Sequence, residues 1–313
     1  YNKIIMTILV TGGLGYIGSH TVVELLNNNF EVVIIDDLSN TEKFILKNIE
    51  EITGKKPIFY PFDLKRKELL KQVFDAHKIE GCIHFAAYKA VGESQVKPID
   101  YYENNLFSLI NLLQEMKERN ISNFIFSSSC TVYGQADTMP IDENTPLKLP
   151  ESSYGKTKQM GEEILKDFAT AHQKKVTLLR YFNPIGAHPS AKLGELPIGI
   201  PNNLVPYVMQ TAAGVREKLS VWGNDYPTED GTAIRDYIYV VDLAKAHVKA
   251  LQKLISENSE TLVDIYNLGT GKGSSVLEVV HAFEKANDVA VPYQICERRA
   301  GDITIAYANA DKA

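Results

Sequence analysis

The sequence predicts an α/β fold, a doubly wound parallel sheet followed by a smaller C-terminal α/β domain. Three observations carry that expectation. Short apolar or β-branched runs alternate with amphipathic, helix-length stretches from Ile8 to Arg180, the pattern of repeated βα units. A turn carrying Gly12, Gly15 and Gly18 joins the first such run to the first helix. From Asn183 the composition shifts to proline, glycine and asparagine, NPIGAHPSAKLGELPIGIPNN, which places a boundary between residues 6–183 and residues 184–313.

The first unit, MTILVTGGLGYIGSHTVVELLNNNFEVVIIDD from Met6 to Asp37, is the most informative. Ile8 to Val10 enter the glycine turn, an amphipathic helix runs to about Asn28, and Val32 to Ile35 are β-branched throughout. The first glycine lets the backbone turn tightly, the middle one lets it approach a pyrophosphate, and the last lets helix and strand pack closely. The helix N-terminus offers unpaired N–H groups to the phosphates. Asp36 ends the second strand, where a carboxylate accepts from adenosine ribose hydroxyls. A 2′-phosphate there would be repelled, so the unit reads as a Rossmann site for NAD rather than NADP. The plainer alternative is a tight βα turn without a ligand, and the strand, helix and acid together weigh against it.

Composition narrows the class. The chain has 313 residues, 44% of them apolar, enough to bury a substantial core. No window approaches the ~18 continuous apolar residues of a membrane span, and the N-terminus lacks a signal arrangement. YNKII before Met6 adds nothing to the first strand. A net charge of −6 disfavours nucleic acid and acidic membrane surfaces, so an anionic ligand must meet locally placed arginines. Cys82, Cys130 and Cys296 are scattered and odd in number, which suits a reducing cytoplasm, and the seven histidines form no HExxH, so no metal is expected.

Beyond Asp37 the elements follow in order. A polar helix near Thr41 to Ile52 leads to a strand at Pro57 to Tyr60; Lys65 to His77 is helical and Gly81 to Ala86 is a buried strand. Asp63, Phe85, Ala86 and Ala87 fall at the carboxyl edge, where such sheets bind ligands; simple close packing is the alternative for the two alanines. The helix from Tyr101 to Glu118 carries Leu106, Leu109, Ile110, Leu112, Leu113 and Met116, too wide an apolar surface for one stripe. One side would meet the sheet and the other a second subunit, so a homodimer is expected. Asn104 and Asn105 at its start either reach the cofactor or are exposed amides. The fifth strand, Asn123 to Phe126, runs into Ser127, Ser128 and Ser129, a loop spans Gly134 to Ser152, and a helix covers Ser153 to Ala171. Val176 to Arg180 is expected to complete the parallel set. After the boundary come a helix near Leu204 to Gly214, strands at Leu219 to Trp222 and Tyr237 to Val240, a helix Val241 to Leu254 and a strand Val263 to Asn267. The last helix starts at Ser275, whose partner Glu278 makes a capping box. The loop Gly269 to Gly273 lacks GxxxxGK followed by Ser or Thr and reads as a helix-entry turn.

Tyr154 and Lys158 stand four apart on one helical face. A phenol titrates near 10, so a base working near pH 7 needs a downshift of ~3 units, roughly 4 kcal/mol. Lys158 and a cationic nicotinamide are expected to supply it, with Ser129 hydrogen-bonding the same substrate oxygen. YxxxK is a common spacing and an ordinary surface pair is the alternative. Here it occurs once, on the helix after the fifth strand and downstream of the glycine turn.

Taken in order, TGGLGYIGSH, IHFAAYKAVGES, FIFSSSCTVYG, SSYGKTK, LLRYFNPIGAHP, GIPNNL, WGNDYPTEDGTAIRDYI, YNLGTG and RRAGD resemble the extended short-chain dehydrogenase/reductase family, most closely its members that epimerise UDP-hexoses at carbon 4. The resemblance covers almost the whole chain from Met6; family members continue past Ala313, which implies an incomplete C-terminal end. It implies that Tyr154 takes the proton of the sugar 4-hydroxyl while the hydrogen on carbon 4 passes to tightly bound NAD and returns to the other face. It implies that Tyr16, Ile17, Asp36, Asp37, Leu38, Ser39, Asn40, Thr41, Asp63, Leu64, Phe85, Ala86, Ala87, Tyr88, Lys89, Asn104, Ser129, Tyr154, Lys158 and Phe182 line the cofactor. Lys89, Ser129, Tyr154, Asn183, Asn203, Leu204, Trp222, Arg235 and Arg299 would meet the UDP-sugar, the arginines on the diphosphate and Trp222 near uracil. Trp222 as core and Arg235 with Asp236 as a structural ion pair remain alternatives. Counting from Asp302 places Ala306 against the substituent on sugar carbon 2, where a methyl leaves room for an acetamido group, so N-acetylated UDP-hexoses are also expected to fit.

Two rival functions share these features. Nucleotide-sugar 4,6-dehydratases carry an Asp-Glu pair after the Ser or Thr, where this chain has Cys130 and Thr131. A non-catalytic dinucleotide sensor has no need of Ser129, Tyr154 and Lys158 together.

Overall fold

The computed structural model describes residues 5–256, 261–299 and 302–313. The first half runs β1 (Thr7–Thr11), α1 (Tyr16–Asn27), β2 (Glu31–Ile35), α2 (Ile45–Thr53), β3 (Ile58–Tyr60), α3 (Lys67–Ala76), β4 (Ile79–His84), α4 (Val91–Val96), α5 (Pro98–Glu118), β5 (Asn123–Ser127), α6 (Ser153–His172) and β6 (Lys175–Tyr181). There follow β7 (Asn183–Ile185), α7 (Leu204–Ala212), β8 (Leu219–Trp222), β9 (Ile234–Tyr239), α8 (Val240–Ser256), β10 (Val263–Leu268), β11 (Gly273–Ser275), α9 (Val276–Asn287), β12 (Tyr293–Cys296) and β13 (Ile305–Ala306).

Strand alternation builds two cores, one on each face of the main sheet. Ile8 and Val10 of β1 join Val32 and Ile34 of β2 in one, with α1, α2 and α8 above them. Leu9, Val33 and Ile35 face the other way, toward α3, α5 and α6. The seven parallel strands lie in the order β10-β6-β5-β4-β1-β2-β3, a Rossmann-like α/β fold. The order reverses between β1 and β4, and that switch point opens a crevice at the carboxyl edge.

The sheet does not end at Val176–Arg180. β10 pairs outside β6 in parallel, Val263 opposite Val176, and α8 returns to pack on α1. The reason is burial: Val176, Leu178 and Leu179 are all below 2% exposed, and a run apolar on both faces cannot serve as a bare edge. A single cut at 183 therefore separates strands that share one sheet. The smaller layer is assembled from β7, β9, β11 and β13, with β8 and β12 paired beside it.

α5 buries Leu109, Leu112, Leu113 and Met116, and part of its second side is covered by α6 of the same chain. Ile99 and Phe107 remain 71% and 54% exposed. The sequence gives no sign of the six-residue helix α4, nor of β7, β11, β12 or β13, whose short pairings depend on distant partners.

Candidate active site

The glycine turn sits at the switch point. Gly12 has φ +68° and a Cβ added to it would lie 2.7 Å from the Ala86 nitrogen, so the segment just after β4 closes over the turn. At Gly18 a Cβ would fall 2.1 Å from the Gly12 carbonyl oxygen, so α1 packs onto the turn itself. At Gly15 the Gly12 oxygen, at 3.3 Å, is the one atom a Cβ would crowd, leaving the backbone open to the cleft. Asp36 is buried and braces the same turn: Oδ2 accepts from the Leu14 N–H and Oδ1 from the Leu38 N–H, each at 3.0 Å. Burial raises its pKa and those hydrogen bonds oppose the rise. Each oxygen keeps a lone pair for a ribose hydroxyl, so these residues fit a dinucleotide.

A cleft of about 1340 Å³ joins this cradle to Tyr154 and Lys158. It is lined by Gly12, Gly15, Tyr16, Ile17, Gly18, Asp36, Asp37, Ser39, Asn40, Thr41, Asp63, Leu64, Phe85, Ala86, Ala87, Tyr88, Lys89 and Asn104, and by Asn183, Asn203, Arg235, Arg299 and Ala306. Five expected residues lie outside this lining. Leu38 packs against the core and contributes its N–H to Asp36; Phe182 is buried with Val132, Tyr133 and Ala306; Leu204 packs in the small-layer core. Ser129 stands just behind the lining, its Oγ accepting from the Thr131 N–H at 3.2 Å and hydroxyl at 3.0 Å. Trp222 is neither in the cleft nor in the core: it is 40% exposed, with the Arg299 guanidinium 5.7 Å from its ring centre.

Several open alternatives resolve in the geometry. Asn105 is buried, its Oδ1 accepting from the Tyr88 N–H and its amide donating to Thr157, so it holds the loop after β4 while Asn104 lines the cleft. Asp236 makes no ion pair with Arg235. It is fully buried and accepts from the Thr270 N–H and hydroxyl, the Gly271 N–H and the Ala308 N–H. The Gly269–Gly273 loop thus wraps a carboxylate, and Ser275 with Glu278 then forms the capping box of α9.

Tyr154 sits in the first turn of α6, which Ser152 caps by accepting from the Gly155 N–H at 3.1 Å. Burial drives its phenol pKa well up, the neighbouring Tyr181 adds to this, and a hydrogen bond with Ser129 opposes it. The downshift expected from Lys158 together with a cationic nicotinamide is thus not supplied by Lys158 alone. The ammonium lies 5.9 Å from the Tyr154 ring centre and donates to the Ser127 carbonyl at 2.7 Å, so desolvation of the phenol outweighs it. Burial lowers Lys158 itself to about 8, against the pull of Glu162 one turn on. Glu162 is a residue the sequence reading missed, although its i,i+4 spacing from Lys158 was legible. Its carboxylate takes the Ser128 hydroxyl at 2.6 Å and Arg180 at 2.9 and 2.5 Å, and Arg180 reaches the Tyr133 hydroxyl at 3.0 Å. The helix α6 is thereby tied to the end of β5 and to β6. Glu195, also missed, lines the cleft from an irregular stretch that carries no periodic signal.

The model of the NAD dependent epimerase/dehydratase family matches residues 8–269. A UDP-glucose 4-epimerase of Bacillus subtilis is 54% identical over 309 residues, covering 98% of this chain and 90% of that protein. One from Haemophilus influenzae is 53% identical over 305 residues, covering 97% and 89%. The crystal structure of UDP-glucose 4-epimerase from Bifidobacterium longum in complex with NAD+ and UDP superposes with a TM-score of 0.94 at 49% identity, covering 98% of this chain and 91% of that one. A likeness that runs through the glycine turn, the helix carrying Tyr154 and Lys158, and both layers makes this chain a member of the NAD dependent epimerase/dehydratase family.

Proposed function

We propose that this protein interconverts UDP-glucose and UDP-galactose at sugar carbon 4. The observation that carries the reading is that Tyr154 and Lys158 line the same cleft as the glycine cradle, Arg235 and Arg299. The cleft exceeds the ~300–1,000 Å³ typical of a single small-molecule site, which leaves room for a dinucleotide and a nucleotide sugar together. Bound NAD supplies the acceptor, and then the donor, for the hydrogen on sugar carbon 4.

The chain's own residues handle the proton and the orientation. Tyr154 takes the proton from the 4-hydroxyl and returns it, Lys158 provides the cation that favours the phenolate, and Ser129 holds the substrate oxygen. Arg235 and Arg299 face the diphosphate, with Lys89, Asn183 and Asn203 beside the sugar. The 4-keto sugar turns over inside the cleft between the two proton transfers. A 4,6-dehydratase is not favoured: Cys130 occupies the place after Ser129, its thiol pushed up to about 11 by burial, and no acid pair stands there to eliminate water.

Finer features belong to the same reading. Ala306 lines the cleft and Tyr307 is not among its lining residues, which supports room for an acetamido group on sugar carbon 2 and hence turnover of UDP-N-acetylglucosamine and UDP-N-acetylgalactosamine. A homodimer would cover Val96, Ile99 and Phe107, which are 80%, 71% and 54% exposed on α4 and around α5. Three unpaired cysteines favour the cytoplasm.

The test is incubation with UDP-galactose and no added cofactor, followed by denaturation and assay of released nicotinamide. UDP-glucose and NAD are both expected. Accumulation of a 4-keto-6-deoxy sugar, or no bound dinucleotide, would overturn the reading.

A further inference from the structure

The cleft holds a carboxylate to which the proposed reaction gives no role. Glu195 lies in the irregular stretch between β7 and α7, where Leu196, Ile198 and Ile200 are 58%, 59% and 68% exposed. Its own side chain is only 12% exposed. An acid withdrawn from water needs donors, and Glu195 has two. Its Oε1 accepts from Lys89 Nζ at 3.2 Å and from Asn203 Nδ2 at 2.5 Å. Lys89 follows β4 of the main sheet and Asn203 begins α7, so one carboxylate oxygen joins the two sides of the cleft.

Asn203 carries an independent sign. It occupies the N-cap position of α7, where an asparagine side-chain oxygen ordinarily accepts from the first turn of the helix, yet it makes no capping bond. Its NH₂ is turned to Glu195 instead. A carboxylate only accepts, so this contact fixes which end of the amide faces Glu195 and leaves Oδ1, on a residue that lines the cleft, free of that partner. An ammonium has three donors, of which Glu195 engages one, so Lys89 also keeps donors for a ligand.

On the epimerase reading, we propose that Glu195 is a positioning residue for the UDP-sugar, holding Lys89 and the Asn203 oxygen in the arrangement that the bound substrate meets. Restricting a flexible lysine and a freely flipping amide before binding removes part of the ordering cost that the substrate would otherwise bear. The carboxylate also contributes, after burial, to raising the pKa of the Tyr16 phenol, which places it within electrostatic reach of the cofactor side of the cleft.

The test is steady-state kinetics on UDP-galactose with Glu195→Ala, Glu195→Gln, Lys89→Met and the Glu195→Ala/Lys89→Met double variant. Glu195→Ala is expected to raise KM about tenfold, with kcat within about twofold of the parent and bound NAD unchanged. Glu195→Gln, which can still accept from Asn203 but does not attract the ammonium, is expected to fall between parent and Glu195→Ala. In the Lys89→Met background Glu195→Ala should add less than about threefold, because the contact with Lys89 is already gone and only the hold on Asn203 is left to lose. An unchanged KM, full additivity with Lys89→Met, or loss of NAD and kcat in step with KM overturns the proposal. So does a lowered KM, which would make Glu195 an internal competitor that the substrate displaces. A parent that makes no UDP-glucose defeats the functional reading and this inference with it; an active parent whose KM ignores Glu195 defeats the inference alone.

Discussion

The Lys158 ammonium stands 5.9 Å from the centre of the Tyr154 ring, one turn further along α6, and both side chains are at most 7% exposed. Burial pushes the two groups in opposite senses, the phenol up and the ammonium down, and both shifts favour the uncharged forms. The chain alone therefore keeps the Tyr154 phenol protonated, while Lys158, at about 8, still carries its charge at pH 7. A cationic nicotinamide beside Tyr154 is what would tip the phenol toward phenolate, which links proton abstraction to occupancy of the cofactor site.

Replacing Tyr154 with Phe should lower turnover of UDP-galactose at least ~100-fold, the low end for a positioned acid/base. Bound NAD should persist, because the glycine cradle and Asp36 are untouched. Initial rates and nicotinamide released on denaturation check both, and a near-normal rate would show that another group is the base.

Lys158 charges near pH 8 in the fold and near 10.5 when unfolded. Between those values the unfolded chain carries a proton that the fold lacks, so the cost of burying this lysine eases as pH rises and is complete below pH 8. That cost is on the order of 3 kcal/mol. Lys158→Met should thus raise the thermal midpoint at pH 7, less ~1 kcal/mol for the lost bond to Ser127, while lowering turnover about as much as Tyr154→Phe. Melting both proteins at pH 7 and pH 10 checks this, and the gap between them should narrow at the higher pH.

The glycines should separate binding from folding. At Gly18 an added Cβ would sit 2.1 Å from the Gly12 oxygen, with backbone on both sides, so Gly18→Ala should cost ~1–3 kcal/mol or more of stability and release the cofactor. At Gly15 the nearest atom is 3.3 Å away, so Gly15→Ala should keep the fold and weaken NAD retention. Thermal melts paired with NAD content distinguish the two; a well-folded, NAD-loaded Gly18→Ala would contradict the packing described.

Ala306 pairs with Arg235 across β13 and β9 and lines the cleft. A tyrosine there should leave UDP-galactose turnover near the parent's and depress UDP-N-acetylgalactosamine turnover about tenfold or more, since relieving overlap in a packed wall costs ~1–3 kcal/mol. Rates on the two sugars for parent and Ala306→Tyr decide it. A parent inactive on the N-acetyl sugar, or a ratio that the tyrosine leaves unchanged, would count against the assignment.

The sequence by itself determined what short-range geometry encodes. Alternation at Ile8, Leu9 and Val10 sorts side chains to two faces, the glycine spacing shapes one turn, and four residues bring Tyr154 and Lys158 onto one helical face. Asp36, Ser275 with Glu278, and the helix-entry turn at Gly269 are legible for the same reason, because each acts within a few residues or at the end of one strand. Only the tertiary structure decided that Val263–Leu268 completes the main sheet, since an apolar run says that it will be buried but not by which partner. It also decided that Trp222 stands exposed beside Arg299, that Glu195 bridges Lys89 and Asn203, and that Asp236 is spent on a loop rather than on Arg235. The raised pKa of Tyr154 belongs to that second group. Desolvation is set by everything that closes around a side chain, and no spacing along the chain records it.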